Sequence, residues 1–250
     1  EKRMFVTGGI GPSGSNEGFT VDYDLPTFTA YQESCASIAN ALWNSRMATL
    51  HGEAKYVDVM ETALYNGTLA GISLSGDKYF YTNPLASHGD HHRQEWFSCA
   101  CCPPNLARMI SQVGGHAYAA SPSSIYVNLY IAGKAKIREA DQDVDLSVTT
   151  NYPWDGKVVI KFDRVGRSKF NLNLRAPGWL EFDAKVDGKP LKPNAEGYLS
   201  LARPWKSGDS VVLDMPMPVR KVVSHPSVKD TAGMFSFARG PLSYCVEQPK

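Results

Sequence analysis

The sequence predicts an α plus β chain, with helices first and an antiparallel β-sandwich after them, and three observations carry that reading. Apolar residues recur at helical spacing up to about residue 119. Short alternating runs take over from Ile125 onward. Between the two textures lies the polar tract Ala120-Ser121-Pro122-Ser123.

The chain opens on Thr7-Gly8-Gly9-Ile10-Gly11-Pro12-Ser13-Gly14, which Gly and Pro punctuate too often for regular structure. The spacing of Ile38, Ala41, Leu42 and Met47 predicts a helix over Tyr31 to Leu50, stopped by Gly52 just past its end. A second helix is expected from Glu53 to Ala70, with Tyr56, Val59, Met60, Ala63, Leu64 and Leu69 on its buried side. Ile72 to Tyr81 reads as a hairpin turning at Ser75-Gly76-Asp77. A third helix starts at Pro103 or Pro104, where a missing N–H costs nothing, and runs to about Tyr118.

The later runs are Ile125 to Tyr130, Val158 to Phe162 and Phe170 to Leu174, with turns at Asp155-Gly156, Asp187-Gly188 and Ser207-Gly208-Asp209. Spacing of this kind is that of an antiparallel sandwich. The expected division is a helical region over 1–119, a sandwich over 120–223 and a final piece over 224–250, where Gly233 to Val246 reads as another strand pair.

With 26 basic and 25 acidic side chains in 250 residues, the chain offers no electrostatic case for nucleic acid or an anionic membrane. It has no apolar run long enough to span a bilayer as a helix. Glu1-Lys2-Arg3-Met4-Phe5-Val6 is neither an initiator sequence nor a signal peptide, so the natural N-terminal part is expected to lie upstream, and the compartment is not legible.

Five cysteines are present, three of them within Cys99-Ala100-Cys101-Cys102. Adjacent Cα atoms lie about 3.8 Å apart, and unstrained disulfides need roughly 4.4 Å or more. Cys101 and Cys102 are therefore poor partners for each other, and metal binding or thiolate chemistry suits the cluster better. Both directly precede the third predicted helix, whose N-terminal dipole favours a thiolate. The plainer reading is a set of small buried apolar groups, and it is preferred for Cys99 and Cys245 taken singly.

Glu33-Ser34-Cys35 offers two ligand types from one short segment. Residues i and i+2 do not share a helix face, so both can reach one ion only if the helix begins there or is distorted. By spacing alone, a surface Glu and a core Cys is the preferred reading. Glu17, on the loop Ser13-Gly14-Ser15-Asn16-Glu17-Gly18-Phe19, could be a general acid if partly buried, with Asp22 and Asp24 as rivals and a solvated loop acid as the plainer reading. Tyr81 ends a strand beside a loop and either faces a ligand or packs. His91 and His92 receive no role.

Taken together, Val6 to Gly11, Gly14 to Phe19, Asp22 to Pro26, Tyr31 to Ser37, Cys99 to Asn105 and Ala238 to Leu242 resemble the β-L-arabinofuranosidase family of glycoside hydrolases, family 127 and its close relatives. The resemblance implies the last helices of an (α/α)6 barrel followed by a β-sandwich and the start of a second one or returning strands. It implies a zinc ion held by Glu33, Cys35, Cys101 and Cys102, with Cys101 as nucleophile, Glu17 as acid/base and Tyr81 against the sugar. It further implies a retaining glycosidase acting on an oligosaccharide or plant-glycan-derived substrate to release L-arabinofuranose, with a homodimer as one arrangement open to it. The barrel's first part, with its sugar-binding histidines, is absent, and the isolated piece could for that reason be inactive. The alternative is a non-catalytic carbohydrate-binding protein with a structural zinc site.

Overall fold

The computed structural model describes residues 2–166 and 169–247. It is an α plus β structure with three α-helices and mainly antiparallel sheets among those residues. The chain divides into two compact units. One takes in the chain up to Arg46, Val59–Gln112 and everything from Val219 on; the other takes in Met47–Asp58 and Val113–Pro218.

The helices are α1 (Ser34–His51), α2 (Ala54–Thr62) and α3 (Cys102–Gln112). Ile38 and Ala41 of α1 are buried as their spacing predicts, and Gly52, at φ 69, closes the helix with its N–H on the Ala48 carbonyl at 2.8 Å. The second predicted helix does not run unbroken to Ala70. It passes into a π-helical turn at Ala63–Thr68 and a 3-10 turn at Leu69–Gly71. Close approaches flank this turn: a Cβ on Gly67 would meet Ser37 Oγ at 2.7 Å, and one on Gly8 would meet the Ala63 backbone nitrogen at 2.5 Å. A π turn shifts the helical register, so Leu69, expected inside, is 38% exposed. The predicted hairpin over 72–81 is reduced to isolated bridges, Ile72 to Tyr79 and Tyr79 to Gln94. The third helix stops at Gln112, ahead of Gly114 and Gly115, and continues only as a 3-10 turn. Leu106 and Met109 face inward with Cys102, at helical spacing.

The strands of the second unit, in chain order, are β1 (Tyr118–Ser121), β2 (Ser124–Val127), β3 (Gly133–Ile137), β4 (Val144–Thr150), β5 (Lys157–Val165), β6 (Lys169–Arg175), β7 (Ala184–Val186), β8 (Lys189–Leu191), β9 (Tyr198–Pro204) and β10 (Ser210–Asp214). They form a four-stranded sheet, β1-β2-β6-β9, and a six-stranded sheet, β3-β4-β5-β10-β7-β8. One pair departs from the antiparallel expectation: β2 and β6 run parallel, Ser124 opposite Asn171 through Val127 opposite Leu174. Alternation alone does not fix strand direction; the long connection between β2 and β6 allows either.

Val158, Ile160 and Phe162 of β5 point inward and are fully buried. Phe162 meets Phe170 of β6 at 5.8 Å and Trp205 at 4.8 Å between ring centroids, so the sheets pack face to face as a sandwich. The β7–β8 turn uses Asp187 (φ 51) and Gly188 (φ 77), the two-residue hairpin that needs positive φ at both positions. Arg175, fully buried at the end of β6, places Nη1 2.6 Å from Asp58 and Nε 2.7 Å from the Asn128 carbonyl.

In the first unit, β11 (Val219–Val222), β12 (Ser236–Arg239) and β13 (Leu242–Tyr244) make a three-stranded antiparallel sheet. Asn66, in the π turn, donates to the Pro241 carbonyl and accepts from the Ser243 N–H, both at 2.9 Å.

Candidate metal and catalytic site

Two helix N-termini meet at the site. Glu33 stands just before α1 and gives its carbonyl to the Ser37 N–H at 3.1 Å, so the helix begins between Glu33 and Cys35. That start removes the i, i+2 objection and lets both side chains turn to one point. Cys101 stands just before α3, with Cys102 as its first residue.

The preceding residues hold α1 in place. Gln32, buried and at φ 38, accepts from Thr7 Oγ1 at 2.8 Å and donates to the Asn83 carbonyl at 2.9 Å. Asn83 returns a bond to the Gln32 carbonyl at 2.9 Å and another to Ser34 Oγ at 3.1 Å. Gly9 is required beside it, because a Cβ there would stand 2.2 Å from Gln32 Oε1.

The ligand atoms of Glu33, Cys35, Cys101 and Cys102 all lie within 4.8 Å of one another. Cys35 Sγ is 3.3 Å from Cys101 Sγ and 3.6 Å from Cys102 Sγ; Glu33 Oε1 is 3.0 Å from Cys101 Sγ and 3.4 Å from Cys102 Sγ. All three thiols are free. A tetrahedral zinc with bonds of about 2.0–2.3 Å spaces its ligand atoms by roughly 3.3–3.8 Å, close to this arrangement. The soft, acid-rich donor set suits zinc as well.

The electrostatics of the site follow from the crowding of these four groups. Hydrogen bonding from Cys102 brings the Cys35 thiol down to about 7. Burial, then the bond to Glu33, pushes Cys101 up to about 12, and the bond to Cys35, then burial, pushes Cys102 up further. Four neighbouring groups of this kind cannot all be anionic without a cation. In the absence of a cation, burial and the Glu33 carboxylate both hold the proton on Cys101.

Tyr81 lies against this cluster: its hydroxyl is 4.0 Å from Cys99 Sγ, and Cys101 beside it, then burial, push the phenol above its ordinary value. Cys99 and Cys245 are both exposed, not the buried apolar groups expected of them. Glu17 is outside the thiol group. Its Oε1 accepts a 2.8 Å bond from the Tyr31 hydroxyl, and the Tyr31 ring meets Tyr81 edge-on at 6.3 Å. Burial first, then the Glu17 bond, pushes the Tyr31 phenol above its ordinary value, so it stays protonated. Of the rival acids, Asp22 is bound by Arg3 at 2.8 Å and Lys2 at 3.3 Å, and these bonds hold its carboxyl below the usual range. An anion so held is a poor proton donor. Asp24 lines an open cleft of about 510 Å³ together with Ser13, Thr20 and Asp230. His91 packs on Phe80 and bonds the Thr82 carbonyl at 2.9 Å.

Sequence reasoning missed Tyr31 and Asn105. Tyr31 stood in the same short motif as Glu33 and Cys35, and its spacing from Glu17 carried no signal. Asn105, one turn into α3, is a neighbour of the Cys35 sulfur that helps lower its thiol.

Residues 1–115 match the family model described as the β-L-arabinofuranosidase GH127 catalytic domain, 124–217 the GH127 middle domain, and 219–250 the glycoside hydrolase family 127 C-terminal domain. A non-reducing end β-L-arabinofuranosidase of Bifidobacterium longum subsp. longum is 36% identical, aligned over 99% of this chain and 40% of its own length. A GH127 β-arabinofuranosidase of solved structure superposes with a TM-score of 0.91 at 38% identity, covering 97% of this chain and 41% of that one. The GH127 β-L-arabinofuranosidase of Geobacillus stearothermophilus T6 superposes at 0.88 with 41% identity, over 97% and 40%. The chain thus spans about two fifths of the length of these relatives. It belongs to the β-L-arabinofuranosidase family of glycoside hydrolases, family 127.

Proposed function

We propose that this chain serves a retaining glycoside hydrolase that releases L-arabinofuranose from a glycan, with Cys101 as nucleophile and Glu17 as acid/base. The observation that supports it most is the convergence of Glu33, Cys35, Cys101 and Cys102 in a member of this family. With that reading goes a division in which residues 1–119 are part of an (α/α)6 barrel and the sandwich follows from 120. The pairing of β11 with β12 favours opening the last piece at Val219, not at 224.

Glu33, Cys35, Cys101 and Cys102 would hold the zinc. Bound zinc supplies the positive charge that lets three thiolates and a carboxylate stand together. Cys101 Sγ attacks the anomeric carbon and forms a thioether to the sugar, while Glu17 gives its proton to the departing glycosidic oxygen. Glu17, now a carboxylate, takes a proton from water, whose oxygen displaces Cys101 Sγ from the same carbon. Two displacements retain the anomeric configuration. In this reading Tyr81, beside Cys101, contacts the sugar.

The test is a mechanism-based furanoside electrophile on the full-length zinc-loaded protein, followed by peptide mapping. Sugar trapped on Cys101, and loss of turnover in Cys101→Ser, is the expected result. Sugar on a carboxylate would reduce Cys101 to a metal ligand. Glycan binding with no cleavage would leave a carbohydrate-binding protein with a structural zinc.

A further inference from the structure

The acid/base candidate is held by one side chain, that of Tyr31. Tyr31 is fixed at both backbone groups: its N–H bonds the Pro12 carbonyl and its carbonyl accepts from the Asn83 N–H, both at 3.1 Å. Its ring lies against Gly14 in the loop that carries Glu17, where a Cβ would stand 2.9 Å from Tyr31 Cδ2. Its other neighbour is the ring of Tyr81. From this seat its hydroxyl reaches Glu17 Oε1 at 2.8 Å.

Glu17 needs such a holder. It lies on an exposed loop at φ 49, a left-handed conformation uncommon outside Gly and Asn. A carboxyl group that swings freely spends little of its time where proton transfer is possible.

We infer that Tyr31 is the positioning residue of the acid/base. Its hydroxyl fills a lone pair of Glu17 Oε1, so the proton that Glu17 gives and takes resides on Oε2, and the carboxyl group is held in one orientation. Tyr31 keeps its own proton throughout. The inference rests on the acid/base reading of Glu17.

The experiment is a double-mutant cycle in the full-length zinc-loaded enzyme with Tyr31→Phe, Glu17→Gln and both together. Each variant is assayed on a substrate with a poor alkoxide leaving group and on a nitrophenyl furanoside, with zinc content and melting temperature alongside. Losing one hydrogen bond to a charged group corresponds to roughly ten- to a hundredfold. Tyr31→Phe should lower kcat/KM, which reports the first displacement alone, by that factor on the poor leaving group and by less than about threefold on the nitrophenyl substrate, with zinc unchanged. In the background of Glu17→Gln it should cost nothing more. Equal losses on both substrates, or a loss that multiplies with Glu17→Gln, would overturn the positioning role while leaving Glu17 as acid/base. If Glu17→Gln itself fails to discriminate between the substrates, the acid/base reading falls, and the inference falls with it.

Discussion

The sandwich and the thiol site are built on opposite plans. In the sandwich, inward positions repeat one chemistry: Val144, Leu146 and Val148 on β4, Val158, Ile160 and Phe162 on β5, Leu172 and Leu174 on β6 are all buried and apolar. Each contributes by leaving water, and another apolar side chain of like volume could take its place. Around the site, little is regular between Phe5 and Glu33 or between Ile72 and Cys101. The geometry rests on Gln32, Asn83 and Ser34, polar groups that are buried or half-buried and bonded to named partners. A sandwich substitution should thus lower stability and spare the metal. A site substitution should do the reverse.

The largest effect that would break this contrast comes from the ligands. Cys35→Ala or Cys102→Ala in the full-length protein should take zinc from about one per chain to near none, and turnover with it. Far-UV circular dichroism should keep its β signal. Elemental analysis that found zinc retained would remove these residues from the ligand set. Unfolding of the whole protein would erase the distinction between the two regions.

Next comes Phe162→Ala, which empties the space between Phe170 and Trp205. A truncation of this kind costs about 3–5 kcal/mol. Chemical denaturation should show that loss, and zinc content should not change. Arg175→Met tests the same region by another route, since it deprives Asp58 of this partner; about 3 kcal/mol is expected, somewhat reduced because Asp58 is partly exposed.

Gly9→Ala sharpens the contrast from the other side. Its new Cβ would stand 2.2 Å from Gln32 Oε1, and Gln32 cannot move without releasing Thr7 and Asn83. A stability loss of about 1–3 kcal/mol is typical of such overpacking. The informative readout is a weaker hold on zinc in a chelator competition, because Glu33 follows Gln32 directly. A destabilised protein with wild-type zinc affinity would show that this polar frame supports the fold and not the site.

The two plans also explain what the sequence disclosed. Alternation located β5 and β6 because burial on one face of a strand writes itself into every second residue. The four residues that converge were singled out through two short motifs and the family resemblance those motifs carry, not through spacing alone. Strand order was not: nothing local says that β2 pairs with β6 in parallel. The π turn in the second helix was hidden because its neighbours, Gly8 and Ser37, lie far off in sequence. Tyr31 was overlooked for the same reason, since its partner, Glu17, is fourteen residues away across an irregular loop. The charge on Cys101 is likewise not a local matter: its helix N-terminus is legible in the sequence, whereas the burial and the Glu33 carboxylate that raise its thiol come from distant parts of the chain.

That last point yields the smallest expected effect and the finest test. In zinc-free protein, Cys35 ionises near pH 7, so its reaction with a small alkylating agent should rise through neutral pH. Cys101, raised to about 12, stays a thiol across that range and should remain almost unlabelled. The sign follows from its neighbours: burial and an adjacent carboxylate disfavour a second anion, so proton loss is postponed to higher pH. A cation in the site reverses the balance, and Cys101 should then be the thiol that a furanose-shaped electrophile finds, with Cys35 protected as a ligand. Exposed Cys99 and Cys245 should react with a small reagent in both states and serve as the internal reference. Mass spectrometry of the labelled peptides with and without zinc reads all five thiols at once. Rapid labelling of Cys101 in the zinc-free protein at pH 7 would mean that the α3 N-terminus activates it unaided, and the thiol site would then owe its chemistry to local structure in the way the sandwich owes its stability.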